Sequence, residues 1–133
     1  MKGAEVITGT VVHGKALGRT VGMPTANVLL DDPDIVFESG VYATIAEFEG
    51  KRMLSVTNIG LRPTVDNSPV PTIEAYIIGF SGNLYEKRIA LTVIGKIRPV
   101  MRFDSLEMVK KQVEKDCVAA QNMLNRYKTS GRT

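Results

Sequence analysis

Through the first two thirds of the chain apolar and polar residues alternate in short runs, and after residue 103 the apolar spacing changes to three and four. Alternation with a period of two is the mark of a strand buried on one face. It predicts strands over Val6–His13, Thr25–Leu30, Val41–Phe48, Met53–Asn58, Thr72–Phe80 and Leu84–Ile97. Glu49-Gly50 and Ser81-Gly82-Asn83 punctuate this series and predict the turns of antiparallel hairpins. Near the C-terminus, Leu106, Val109, Val113, Ala120, Leu124 and Tyr127 recur at helical steps, with Lys110, Lys111, Glu114 and Lys115 largely on the other side. Asp104 with Glu107 three positions on predicts the cap of this helix, and Phe103 with Met108 a hydrophobic staple across its start. Short antiparallel strands followed by one helix make the chain mainly β, a closed or nearly closed barrel capped by that helix.

Composition narrows the class. At 133 residues, residues 1–133 are expected to form one domain with one core. With 44% apolar and 23% charged residues the chain falls among ordinary soluble globular proteins. Its net charge of +3 favours anionic ligands such as nucleotides. No concentrated basic patch interleaved with aromatic residues is visible, which argues against a nucleic-acid partner. The single cysteine, Cys117, excludes an internal disulfide framework and fits a reducing compartment, where it is expected to be a packed thiol. The opening MKGAEVITG has no apolar signal core, and no apolar run approaches the roughly 18 residues of a membrane span. A cytoplasmic protein with no membrane partner is therefore expected.

The densest chemical signal is GKALGRTVGMPTAN, residues 14–27. Gly14, Gly18 and Gly22 recur every four residues, Lys15 and Arg19 lie among them, and Pro24-Thr25-Ala26-Asn27 closes the run. Glycines let a backbone bend sharply and let phosphate oxygens approach its N–H groups. Glycines near the start of a small β-rich domain are, taken alone, more often turns and bulges than phosphate cradles. Thr25 and Asn27 supply two neutral oxygens at i and i+2, which project from one side of an extended strand. Such a pair suits a magnesium ion that takes its other ligands from water and nucleotide phosphates. The run lacks the Gly-Lys-Ser/Thr ending of a Walker loop, so that mechanism is excluded.

GKALGRTVGMPTAN resembles the phosphate and metal segment of riboflavin kinases. NIGLRPTV, TIEAYIIGF, LYEKRIALTVIGKIRPVMRFDSLEMV and QVEKD follow in that family's order, so the resemblance covers roughly residues 8–123. It implies a six-stranded antiparallel Greek-key β-barrel with a C-terminal α-helix. The implied activity is transfer of phosphate from MgATP to the ribityl 5′-hydroxyl of riboflavin, giving FMN and ADP. Gly14, Lys15, Gly18, Arg19, Gly22, Pro24, Thr25 and Asn27 would then hold the nucleotide, with Thr25 and Asn27 orienting Mg2+. The alternative on the same barrel is a flavin-binding regulatory module with weakened turnover.

Alternation places Glu74 on the face opposite Ile73 and Ala75. Alone, an outward strand glutamate is ordinary solvated surface. The resemblance makes it the catalytic base. The resemblance also puts Arg98 near the active site, where it is expected to contact ligand, and gives Asp116 the acidic position of the helix. Arg62-Pro63-Thr64 and residues 65–71 read as a connecting loop, with a flap implied there. Two positions depart from the family pattern: Gly79 where an acidic residue is common, and Glu86 where glycine commonly follows the tyrosine. His13 is the only histidine, so the His-x-Gly-His signature of an adenylyltransferase domain is absent. Stand-alone kinase and domain of a longer bifunctional chain both remain open.

Overall fold

The computed structural model describes residues 5–12, 25–32, 37–63 and 69–129. Six strands, β1 (Val6–Val12), β2 (Ala26–Leu30), β3 (Gly40–Phe48), β4 (Lys51–Pro63), β5 (Pro69–Ile77) and β6 (Arg88–Arg98), precede one helix, α1 (Leu106–Thr129). They close into a barrel in the order β1-β2-β5-β4-β3-β6, with every neighbouring pair antiparallel. β6 lies beside β3 and β2 beside β5, the connectivity of a Greek key. Closure leaves no sheet edge to be protected.

Alternation produces two apolar layers. Ile7, Val11, Val28, Tyr42, Ile59, Ile73, Ala75 and Leu91 point inward and fill the barrel. Residues on the other face of β3 and β4, Val41, Ala43 and Val56, pack beneath α1 against Ala120, Cys117 and Met123. Thr44, Ser55 and Thr57 are also buried inside the barrel, where polar groups would be costly unless paired. Their hydroxyls satisfy one another: Thr44 Oγ1 lies 2.6 Å from Ser55 Oγ and 2.8 Å from Thr57 Oγ1. Gly9 lets β1 and β2 approach closely, since a Cβ there would come within 2.3 Å of the Leu29 carbonyl oxygen.

The β3–β4 hairpin turns at Glu49 and Gly50, both at positive φ (48° and 76°), as expected. The second expected hairpin, at Ser81-Gly82-Asn83, does not form, because β5 and β6 are not neighbours. The segment between them crosses the end of the barrel instead. It is pinned by Glu86 N–H donating to the Val11 carbonyl (2.7 Å), Lys87 N–H to that of Leu84 (2.9 Å) and Tyr85 N–H to Asn83 Oδ1 (2.8 Å). Gly79 takes φ 78°, which glycine accepts readily, and Glu86 takes φ 68°, which it does not. A glycine at that place, as the resemblance implies, would take this backbone without strain. β4 also runs further than its alternation indicated, through Pro63, which pairs with Pro69, so Arg62 and Pro63 belong to a strand and not to a loop. Residues 69–71 of the expected loop likewise belong to β5, and residues 64–68 lie outside the described residues.

Ser105, not Asp104, caps α1: its Oγ accepts the Met108 N–H at 3.2 Å. Both residues are good caps, and the helix starts one position later than the pattern indicated. Leu106 and Met108 are exposed, so the expected staple does not close. Phe103 lies instead beneath the Arg98 guanidinium, 5.7 Å from ring centroid to Cζ. Cys117 is half-buried, and burial, reinforced by the carboxylates of Asp116 and Glu114, pushes its thiol pKa up. It is a packed thiol. Among the described residues no helix is long and apolar enough to cross a membrane.

Candidate active site on the outer face of the barrel

A row of paired residues runs across the barrel wall. Val12 pairs with Asn27, Asn27 with Glu74, Glu74 with Asn58, Asn58 with Val41, and Val41 with Arg98. Directly paired residues project from the same face of a sheet. Their neighbours Val11, Val28, Ile73 and Ile59 fill the interior, so this row faces outward. Glu74 is consequently half-buried on the outer wall, as the alternation predicted.

Thr25, just before β2, turns its hydroxyl toward Glu74, with Oγ1 3.4 Å from Oε1. Thr25 therefore contacts Glu74 directly, and Asn27, two residues on, stands opposite Glu74 in the strand pairing. Sequence brings Thr25 and Asn27 together, and only strand pairing adds Glu74, 49 residues away from Thr25. Gly14, Lys15, Gly18, Arg19, Gly22 and Pro24 lie outside the described residues. The segment that carries them leaves β1 after Val12 and rejoins at Thr25, so both its ends adjoin this cluster.

Thr25 also borders a cavity of about 280 Å³ at the end of the barrel, with Val11, Ala26, Phe80, Leu84 and Tyr85 among its walls. The crossing between β5 and β6, where Gly79 and Glu86 sit, forms one side of it. No cluster of three or more histidine, cysteine, aspartate or glutamate side chains exists among the described residues. A divalent cation here would thus depend on the neutral oxygens of Thr25 and Asn27, with the Glu74 carboxylate nearby, and on ligands brought by a substrate.

At the far end of the row, Arg98 is engaged by α1. Its Nε and Nη2 donate to Asp116 Oδ1 and Oδ2 at 2.9 and 2.8 Å, and Gln112 Nε2 adds a bond of 3.0 Å to Oδ1. Side-chain exposure is 15% for Arg98 and 2% for Asp116. A charge-assisted, bidentate pair shielded from water fixes the helix against the strand end. Periodicity did not reveal this, because it assigns charged residues to the solvent side of a helix. Asn58, the first residue of the NIGLRPTV segment, stands in the same row opposite Glu74, a placement that only strand pairing reveals.

The family described as Flavokinase, riboflavin kinase, matches residues 3–124. The chain belongs to the riboflavin kinase family. It is 43% identical over 116 residues to the RNA-binding riboflavin kinase RibR of Bacillus subtilis (strain 168), covering 86% of this chain and 50% of RibR. It is 38% identical over 114 residues to the bifunctional riboflavin kinase/FMN adenylyltransferase of Pseudomonas fluorescens, covering 86% of this chain and 36% of that enzyme. The riboflavin kinase of Trypanosoma brucei superposes with a TM-score of 0.64 over 90% of this chain and 79% of its own, at 24% identity, a likeness of fold. This riboflavin kinase family chain therefore spans half or less of the length of these two bacterial relatives. RibR also corrects one expectation. Mild charge and sparse aromatics argued against a nucleic-acid partner, yet a relative at 43% identity is an RNA-binding protein. Overall composition is a poor guide here, because a local surface or a neighbouring domain can bind RNA without moving the average.

Proposed function

We propose that this chain phosphorylates the ribityl 5′-hydroxyl of riboflavin with MgATP, producing FMN and ADP. The observation that carries the reading is the placement of Thr25 and Asn27 beside Glu74 on the outer wall, at the two ends of the glycine-rich segment. Glu74 accepts the proton of the hydroxyl as its oxygen attacks the γ-phosphoryl group. Thr25 and Asn27 hold the phosphate end of the nucleotide, and the backbone of Gly14, Gly18 and Gly22, with Lys15 and Arg19, cradles its oxygens. Magnesium, when bound, supplies charge neutralisation at the transferring phosphoryl group. The cavity beside Thr25 offers apolar walls to an aromatic ring of a substrate. Arg98 acts at a distance, by anchoring α1 through Asp116. Phosphoryl transfer has a loose transition state, so positioning by these groups outweighs the basicity of Glu74.

A second reading on the same barrel is a flavin-binding regulatory module with weakened turnover. It is favoured by the RibR relative, whose name joins RNA binding to riboflavin kinase, and by Glu86, which holds a strained backbone beside the cavity where glycine is usual. Both readings require riboflavin to bind. Incubation of the purified chain with riboflavin and MgATP, followed by chromatography for FMN and ADP, separates them. Stoichiometric and repeated FMN formation supports the kinase; riboflavin binding without FMN supports the module.

A further inference from the structure

Glu74 has an asparagine directly opposite it on each neighbouring strand, Asn27 on β2 and Asn58 on β4. Asparagine is a poor strand former, because its short amide competes for backbone groups. The interior of a 13-residue strand is ordinarily given to branched or aromatic side chains. Asn58 sits there nonetheless, half-buried between the fully buried Thr57 and Ile59.

Its surroundings differ on its two sides. Val56, two residues back on the same face, and Val41, opposite on β3, belong to the apolar layer beneath α1. Glu74 lies opposite on β5, and Thr72 beyond it pairs with Gly60, whose missing side chain keeps the wall low: a Cβ there would meet Thr72 Oγ1 at 2.9 Å. Asn58 therefore stands between a buried apolar layer, already covered by α1, and the carboxylate.

We propose that Asn58 binds the polyol of the flavin substrate, hydrogen-bonding the ribityl hydroxyl next to the one that Glu74 deprotonates. This deepens the kinase reading and rests on it. A carboxamide presents one acceptor and a donor group, and each polyol hydroxyl presents both, so one side chain can hold a hydroxyl in either sense. The two asparagines then serve opposite sides of Glu74. Asn27, beside Thr25 and the glycine-rich segment, faces the phosphate; Asn58, beside the apolar layer under α1, faces the alcohol. The alcohol and the phosphoryl group meet where the carboxylate is.

Asn58→Val tests this, because valine favours strands and the unfolding temperature should hold or rise while binding suffers. The KM for riboflavin should increase about tenfold, with the KM for ATP changed less than about twofold. 4′-Deoxyriboflavin supplies the signature that a purely structural role would not move. The native protein should use it about tenfold less well than riboflavin, and Asn58→Val should show no further penalty. Equal penalties in the two proteins would overturn the assignment. If Asn58→Val does not fold, Asn58→Ser carries the same comparison. Native protein that binds riboflavin yet forms no FMN refutes the kinase reading alone; the affinity of each variant, from quenching of flavin fluorescence, then decides. Unchanged affinity refutes the Asn58 contact, and about tenfold weaker binding supports it. Native protein that binds no riboflavin refutes both.

Discussion

Arg98 and Asp116 meet through two parallel hydrogen bonds of 2.9 and 2.8 Å, joining the end of β6 to the middle of α1 where both side chains are largely shielded from water. Removing one partner strands the other as an uncompensated buried charge. Asp116→Ala should therefore cost about 3–5 kcal/mol in unfolding free energy by urea denaturation. Arg98→Met combined with Asp116→Leu should recover most of that loss, since an apolar pair of similar volume needs no desolvation of charge. Recovery absent from the double variant would show that the pair does more than anchor the helix.

Glu74 stands between Asn27 and Asn58 with Thr25 Oγ1 3.4 Å away. Glu74→Gln retains the shape and removes the proton acceptor. FMN formation should show kcat reduced by roughly 10²-fold, with riboflavin affinity little changed. Loss of affinity with kcat retained would make Glu74 a flavin-binding group instead.

Thr25→Ala and Asn27→Ala each remove one neutral oxygen from the cluster. Each should lower kcat/KM for MgATP by at least about tenfold, roughly 1.4 kcal/mol in the transition state, with unchanged circular dichroism. Turnover equal to that of the native chain would take these residues out of the site.

Glu86 occupies the left-handed region at φ 68°, where a side chain clashes with its own backbone. Glu86→Gly relieves that clash, and thermal unfolding should show stabilisation of about 1 kcal/mol. Gly50→Ala, at φ 76° in the β3–β4 turn, should act in the opposite direction.

Asp31, at the end of β2, accepts hydrogen bonds from Arg88 on β6, with Nη1 2.7 Å from Oδ1. The hydrogen bond from Arg88, assisted by one from Thr8, lowers its pKa from the ordinary 3.8 to about 2. A carboxyl lowered by folding contributes stability that is complete above its unfolded pKa and is lost as pH falls through the folded one. This contribution should disappear between about pH 4 and pH 2. Asp31→Asn should flatten the acid limb of a plot of unfolding temperature against pH in that window. The site is exposed, so 0.5 M salt should shrink the difference.

The sequence alone determined the strands whose one-sided burial writes a period of two into the chain, the Glu49-Gly50 turn, and the helix at the C-terminus. It also placed Thr25 beside Asn27 and turned Glu74 away from Ile73 and Ala75, because those are facts about adjacent residues. Strand neighbours are a different matter. Ser81-Gly82-Asn83 has the composition of a hairpin turn, yet whether two consecutive strands pair depends on where the barrel closes, which no local pattern encodes. The same physics hid Asn58 and Asp116. Each breaks a local rule, an amide inside a strand and a carboxylate on the buried side of a helix, and each becomes intelligible only through a partner brought from elsewhere: Glu74 across β4 and β5, and Arg98 at the end of β6. Tertiary structure decided these because the free energy of a buried polar group is set by what faces it, and its own neighbours in the chain do not supply that.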